Sequence, residues 1–242
     1  MDSDFNLQTT TVWSFPERGN WGTHKGDYPG NWSPYIPKNI ILRYSKENEI
    51  VLDQFAGSGT TLVEAKLLNR RAIGCDINDN ALIISKQRVN KTLGNSKICI
   101  LKRDARKLDG IKNNSIDLIC THPPYSNMIK YSIDNKDDLS LLSLEDFYIA
   151  MGDVAKECFR VLKYDRYCAI LMGDMRKNNF IIPIGFNIMN IFINEGFKLK
   201  EIIIKEQHNC KSTKYWKDLS IKKNFYLITH EYLFVFKKLC SV

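Results

Sequence analysis

From Glu49 onward the sequence alternates between two hydrophobic periods, and this alternation leaves few folds open. Short apolar runs of strand length fall at 50–53, 72–76, 97–101, 116–121 and 167–172. Between them the apolar residues recur at helical spacing. Helices are predicted over 60–68, with Leu62, Ala65 and Leu68 on one face, over 80–93, and over 144–162, where Ser143 is placed to cap. A short segment fills the chain from 102 to Ile111. A further helix over 184–195 is closed by Gly196, a glycine suited to the left-handed C-terminal turn. Strands at 197–205 and 225–236 end the chain, joined by a polar loop, 206–224, with no helix predicted in it. Strand–helix alternation predicts an α/β, Rossmann-like, doubly wound and mostly parallel sheet. The last two strands, lacking a crossover helix, should pair antiparallel, so the final strand runs against the others.

The 242 residues suit a single domain, 1–242, with short elaborations. No apolar run is long enough to cross a bilayer, and Met1 to Thr11 is polar without a signal-peptide core. The seven cysteines are scattered and none forms a Cys-x-x-Cys pair, so no metal site is expected and the chain is read as cytoplasmic. A net charge of +8 favours a polyanionic partner such as nucleic acid. Residues 12–38 set Trp13, Trp21 and Trp32 among glycines and prolines. They are irregular by period but too aromatic for a disordered tail. A helix with Pro37 in its first turn should follow to about Tyr44.

Chemistry concentrates at strand ends. The run Asp53-Gln54-Phe55-Ala56-Gly57-Ser58-Gly59-Thr60 lies where the first strand gives way to a helix, which is where open α/β sheets bind ligands. Gly57 and Gly59 permit close backbone approach, and the helix start presents unpaired N–H groups. It is neither a dinucleotide fingerprint, since position 62 is Leu, nor a P-loop. Asp76 ends the second strand, where an acid can accept from both ribose hydroxyls of an adenosyl group. Asp104 follows the third and can accept from an adenine amine; a loop-capping role is the alternative for either acid. After the fourth strand comes Thr121-His122-Pro123-Pro124-Tyr125. Consecutive prolines stiffen the backbone and aim its carbonyls. Acceptors such as the His122 side chain and the Pro123 carbonyl would free the lone pair of a base amine, and Tyr125 offers a stacking face. The alternative is a rigid turn with a packing aromatic.

The motifs Phe55-Ala56-Gly57-Ser58-Gly59 and Thr121-His122-Pro123-Pro124-Tyr125 resemble motifs I and IV of the amino-methylating DNA methyltransferases, the N4-cytosine/N6-adenine family. The resemblance covers nearly the whole chain and implies the class I fold of S-adenosylmethionine-dependent methyltransferases. It implies that Asp53 to Thr60 holds the methionine part of that cofactor. Asp76 with Ile77 and Asp104 with Ala105 would hold ribose and adenine. The stretch Asn31 to Pro37, with Trp32 and Pro37, resembles motif X, which closes over the methionine end, and its place before motif I matches the gamma-type order. His122, Pro123, Pro124 and Tyr125 would hold the target amine of a flipped base, with Thr121 bordering the cofactor. His122 departs from the usual Asp, Asn or Ser. A neutral imidazole can accept one hydrogen bond, and a protonated one cannot. Thr121 leans toward cytosine N4 over adenine N6.

Family members usually carry a large recognition insertion. Here the candidates are 126–143, the N-terminal segment 12–44 and the loop 206–224, where Lys211, Lys214, Tyr215, Trp216 and Lys217 interleave cations with aromatics. Either recognition is compact, or a restriction or specificity partner subunit supplies it. Double-stranded DNA is the expected partner. An RNA base methyltransferase of the guanine-N2 type, or a silent subunit that binds cofactor and nucleic acid, are the alternatives. His24 and His230 are read as structural or surface residues, Phe147, Tyr148 and Phe159 as core, Arg18 and Lys25 as a solvated loop, and Lys237 and Lys238 as a solvated end.

Overall fold

The computed structural model describes residues 5–125, 137–209 and 213–240. After a two-residue strand β1 (Val12–Trp13) come α1 (Tyr35–Tyr44), β2 (Ile50–Asp53), α2 (Thr60–Leu67), β3 (Arg71–Asp76), α3 (Asp79–Lys91), β4 (Ile98–Lys102) and β5 (Ile116–Thr121). The second half contains α4 (Leu144–Val161), β6 (Leu162–Met172), a hairpin β7 (Met175–Lys177) and β8 (Phe180–Ile182), α5 (Ile184–Asn194), β9 (Lys198–Glu206), α6 (Thr213–Lys222) and β10 (His230–Lys237).

Among the described residues one sheet has eight strands in the order β1–β9–β10–β6–β5–β2–β3–β4. Strands β2 to β6 pair in parallel, while β10 runs antiparallel to both β6 and β9. This is the class I methyltransferase fold. Two apolar layers cover the sheet. One joins Ile36, Ile40, Leu62, Val63 and Val89 of α1 to α3, and the other joins Phe147, Met151, Val154, Ile188 and Phe192 of α4 and α5. Cys75, Cys120, Cys158 and Cys168 are buried free thiols that pack as small apolar groups. From β2 the chain steps outward through β3 to β4, then returns to lay β5 on β2's other side. The order reverses between β2 and β5, and the connections leaving their carboxyl ends diverge to leave a crevice.

Asp53 ties that crevice together. It ends β2 at 2% exposure. One carboxylate oxygen accepts from the Phe55 N–H at 3.1 Å and the Thr121 hydroxyl at 2.7 Å, and the other from the Thr61 hydroxyl at 2.5 Å. A single side chain thus links the ends of β2 and β5 to the first turn of α2. Burial pushes its carboxyl up to about 6, against the pull of these three bonds.

Several expectations need correction. Helix α1 begins at Tyr35 with Pro34 before it, so Pro37 is its third residue, still within the turn whose N–H groups have no helical partner. The loop 206–224 contains α6. Residues 225–229 are not strand, and β10 starts at His230. Strand β1 and the β7–β8 hairpin arise in segments too short to show a period. Lys238 is buried, its ammonium donating to the carbonyls of Phe159 and Leu162 at 2.6 and 2.8 Å. Arg18 is half-buried and donates to the Trp32 carbonyl at 2.9 Å.

Replacing Asp53 by Ala leaves two hydroxyls and an N–H without their acceptor in a dry site, and urea unfolding should show a loss of about 3 kcal/mol. Asp53→Asn keeps the shape but abolishes the titration. With a folded value near 6 and an unfolded one near 4, the folded state holds the extra proton between them. Wild-type stability from this group is therefore fully present below about pH 4 and lost as pH rises through 6, and the Asn variant should lack that decline. An unchanged pH dependence of unfolding would remove Asp53 from this role.

Candidate functional site

The crevice opens as a cleft of about 770 Å³, mouth included, floored by the turn after β2. Gly57 and Gly59 both lie at positive φ, 49° and 88°. A Cβ on Gly59 would come within 2.7 Å of the Ser85 hydroxyl, so the turn can seat itself against α3 only with glycine there. The turn is held to β3 by the Ala56 N–H on the Cys75 carbonyl at 2.9 Å and by the Gly57 N–H on the Asp76 carboxylate at 2.8 Å. Arg88 reaches back from α3 to the Ser58 hydroxyl at 2.8 Å. Burial raises the Asp76 carboxyl above its ordinary value, opposed by the N–H groups of Asn78, Gly57 and Ile77.

The sequence-predicted residues divide. Trp32, Asp53, Phe55, Ala56, Gly57, Ser58, Thr60, Asp76, Ile77, Asp104 and Ala105 line the cleft, as do His122 and Pro124. Gly59 shapes the turn without lining it. Pro37 is buried in α1. Thr121 points into the sheet to bond Asp53, and Pro123 is buried and outside the lining. Asp104 accepts at both oxygens from the Arg106 guanidinium, at 2.6 to 3.0 Å. The lining also includes Tyr28, Gly30, Arg103 and Asp138, which the sequence did not flag, because irregular segments carry no period to place them.

The covering segment is pinned from outside the cleft. Trp21 Nε1 and His24 Nε2 both lie 2.6 Å from one oxygen of Glu64, a buried acid on α2. The Thr60 hydroxyl bonds the Asn31 side chain. Trp32 is thereby laid over His122, with ring centroids 5.5 Å apart and planes 27° apart. His24, read from sequence as structural or surface, is a buried clasp.

At His122 the cleft meets a second one, also walled by Gly30, Trp32, Arg18, Lys205 and Glu231. Four side chains form a chain of contacts here. Lys205 on β9 donates to Glu231 on β10 at 2.9 Å, the two being cross-strand partners. The Tyr125 hydroxyl donates to the other Glu231 oxygen at 2.9 Å. His122 Nε2 lies 2.9 Å from the same hydroxyl. The phenol proton goes to Glu231, so Nε2 is placed to donate to the phenol oxygen, while the Gly30 backbone contact calls for a ring N–H as well; the neutral ring has one hydrogen for these two partners. Burial lowers the His122 pKa, and so does Lys205, while Glu231 and the Gly30 contact raise it, with a net value below the ordinary one. Burial pushes the Glu231 carboxyl up, but Lys205, His122 and the Tyr125 bond outweigh it, leaving it below its ordinary value. Sequence reasoning missed Glu231. An acid inside the apolar run His230 to Phe236 was the available signal. Of the predicted nucleic-acid contacts, Lys214, Tyr215, Trp216 and Lys217 lie on α6, with Tyr215 and Trp216 exposed, and Lys211 lies outside the described residues.

A family model described as DNA methylase matches residues 3–87 and 116–239, which include both turns and the cleft lining other than Arg103 to Ala105. The chain belongs to this DNA methylase family. A type II methyltransferase of Lactococcus lactis subsp. cremoris, M2.LlaDCHI, is 48% identical over 66 residues, 27% of this chain and 24% of that protein. A tRNA (guanine(10)-N2)-dimethyltransferase of Methanothermobacter thermautotrophicus is 32% identical over 99 residues, 40% of this chain and 29% of that one. The chain thus matches less than a third of each relative's length. Among solved structures, TrmN from Thermus thermophilus superposes with a TM-score of 0.57 at 17% identity, over 87% of this chain and 50% of that one. A methyltransferase from Methanosarcina mazei does so with a TM-score of 0.55 at 17% identity, over 84% of this chain and 98% of that one.

In this chain the Glu231 contacts predict a measurable coupling. Glu231→Gln removes the charge that raises His122, so the His122 titration, followed by NMR, should move further below its wild-type position. It also strands the Lys205 ammonium, and stability should fall by about 3 kcal/mol. A His122 titration that stays put would show that the acid and the imidazole are not coupled.

Proposed function

We propose that this DNA methylase transfers a methyl group from S-adenosylmethionine to an exocyclic amine of a base in DNA. The reading is carried by the junction at His122, where a cleft built on a glycine turn meets a second cleft walled by Phe15 and Trp32, by Arg18 and Lys205, and by Glu206 and Glu231. The residues of the first cleft fit that cofactor. Asp76 closes β3 as an acceptor for ribose hydroxyls, Asp104 and Asp138 offer acceptors farther along, and the free N–H groups at the start of α2 suit a carboxylate. Bound there, the cofactor supplies an electrophilic methyl group on a positively charged sulfur.

The second cleft receives the flipped target base. A base amine is a poor nucleophile because its lone pair is delocalised into the ring. On entering, the base amine replaces the contact between His122 and Gly30: with the ring hydrogen on Nε2, Nδ1 accepts one amine N–H and the released Gly30 backbone acceptor the other, which favours a pyramidal nitrogen with an available lone pair. The tyrosine bond biases the imidazole toward the required tautomer. Trp32 fixes the ring plane, and Tyr125, which lines neither cleft and packs its ring beside Gly173, serves through its hydroxyl contact to His122. Pro123 and Pro124 keep the turn stiff, so catalysis comes from acceptors already in place. Thr121 before the turn favours cytosine N4 over adenine N6. The names of the type II relatives point to a restriction-modification setting, with a restriction or specificity subunit as partner. The tRNA guanine-N2 relative supports a second reading, the same chemistry on RNA.

Purified chain, given labelled cofactor and offered genomic DNA, total RNA and protein extract in parallel, should label DNA. Label in RNA alone would reject the first reading, and cofactor binding with no transfer would mark a silent subunit. His122→Ala should leave cofactor affinity nearly intact and lower kcat about a hundredfold. Because burial holds His122 below its ordinary value near 6.5, wild-type kcat should stay level through neutral pH and fall only on the acid side of the ordinary imidazole range, as the ring takes a proton. Full activity in the His122→Ala variant would exclude the imidazole as acceptor.

A further inference from the structure

Beyond the second cleft lies a third concavity, of about 1660 Å³ with its open mouth, between the β7–β8 hairpin, α6 and the segment 225–229. It adjoins the second cleft, His208 and Asn209 lining both. That seam is fixed to the covering segment. His208 Nε2 lies 2.9 Å from the Ser14 hydroxyl, and Asn209 donates to the Pro16 carbonyl at 2.9 Å. We propose that this groove seats the DNA strand that flanks the target nucleotide. The inference rests on the DNA reading above and extends it to elements that reading does not use.

The groove is a built surface. Asn178 and Asn179 both take positive φ, 51° and 68°, which gives the tight two-residue turn that a short hairpin needs. Arg176 on β7 then clasps the opposite wall. Its guanidinium donates to the Asn179 carbonyl at 2.6 Å and the Tyr226 carbonyl at 3.0 Å, and lies 5.1 Å from the Phe225 ring centre. The segment 225–229 is thereby held against the hairpin although it belongs to no strand.

What this frame displays suits a nucleic-acid strand. Tyr226 is 90% exposed and Trp216 46% exposed, and both line the groove. Flat aromatic faces turned to water are the sequence-tolerant means of stacking bases. Lys223 lines the same groove, and α6 adds Lys214, Lys217 and Lys222 to its sequence against the single acid Asp218. Glu206 at the end of β9 is the acid nearest the seam in sequence. The cationic surplus is the charge complementarity a phosphate backbone requires. A small metabolite would leave most of the groove open, whereas an extended strand leaving the second cleft passes along it. Arg176 sits beneath as the brace of the frame, so the exposed residues test the idea more cleanly.

The test uses the full chain with saturating S-adenosylmethionine and a fluorescent duplex oligonucleotide of mixed sequence, titrated across a salt series. Trp216→Ala and Tyr226→Ala should each weaken DNA binding about tenfold. Lys223→Ala should lower the slope of log affinity against log salt by about one. Cofactor affinity and kcat at saturating DNA should stay at wild-type values in all three. Lys86→Ala, on α3 at the far edge of the sheet, should change nothing. If the wild type binds and methylates DNA while the groove variants match it in affinity and salt slope, the groove assignment is overturned and the DNA reading stands. If the wild type ignores duplex DNA and binds transfer RNA, the DNA reading falls, and this inference falls with it.

Discussion

One buried carboxylate sets the distance between the two halves of this site. Asp53 bonds the backbone of its own turn, the first turn of α2 and the last residue of β5. Parallel pairing of β2 with β5 fixes the register of the strands but not the path of the chain beyond them. The glycine turn and the double-proline turn leave those strands with no direct backbone ladder between them. Three hydrogen bonds to one side chain do that work, in a place dry enough to raise the acid toward 6. A glycine turn that drifted by an ångström would carry a cofactor's reactive carbon away from the amine acceptors. Positioning errors of that size are costly where the chemistry is mainly orientation.

The polar groups at the far side of His122 obey the same logic. Lys205 and Glu231 lie opposite each other on β9 and β10, so sheet register alone sets them in contact. Isolated, either charge would be expensive so far from water. Paired, they leave one carboxylate oxygen to take the Tyr125 proton, and that bond orients the phenol toward His122. Two strands at the end of the chain thereby bias the tautomer of a residue in its middle toward a hydrogen on Nε2, against the pull of the Gly30 contact. An Asp or Asn at position 122 needs no such support, because its acceptor oxygen is not exchanged with a donor by tautomerism.

Much of this was legible from sequence because it is local. The turn from Asp53 to Thr60 and the acids Asp76 and Asp104 belong to strand–turn–helix units whose periods are unambiguous. The run Thr121 to Tyr125 is fixed by its prolines. The antiparallel β10 was expected from a connection without a helix; the pairing is as expected although α6 lies in that connection. What escaped depended on partners remote in sequence. Glu231 gains meaning only opposite Lys205 and beside Tyr125. Lys238 resembled a solvated end until the carbonyls of Phe159 and Leu162 surrounded it. Helix α6 carries its apolar residues outward, so no core-facing stripe announced it. Arg176 was invisible for the same reason, since its partners Tyr226 and Phe225 lie 50 residues away.

The covering segment joins these parts into one device. Gly30, Asn31 and Trp32 line the cofactor cleft and the second cleft alike. The segment's anchors lie on α2, through Glu64 and Thr60, and at the end of β9, through His208 and Asn209. It is therefore clamped at one end to the element that begins the cofactor turn and at the other to the strand that carries Lys205. Any movement that opens the cofactor cleft must shift Trp32 from His122 or pull on the seam with the third groove. The other Glu64 oxygen is buried without a hydrogen-bond partner among the described residues, so the α2 clamp is held at an electrostatic cost. Both hydrogen-bonding contacts of that clamp fall on the one remaining oxygen, so Trp21 and His24 share a single acceptor.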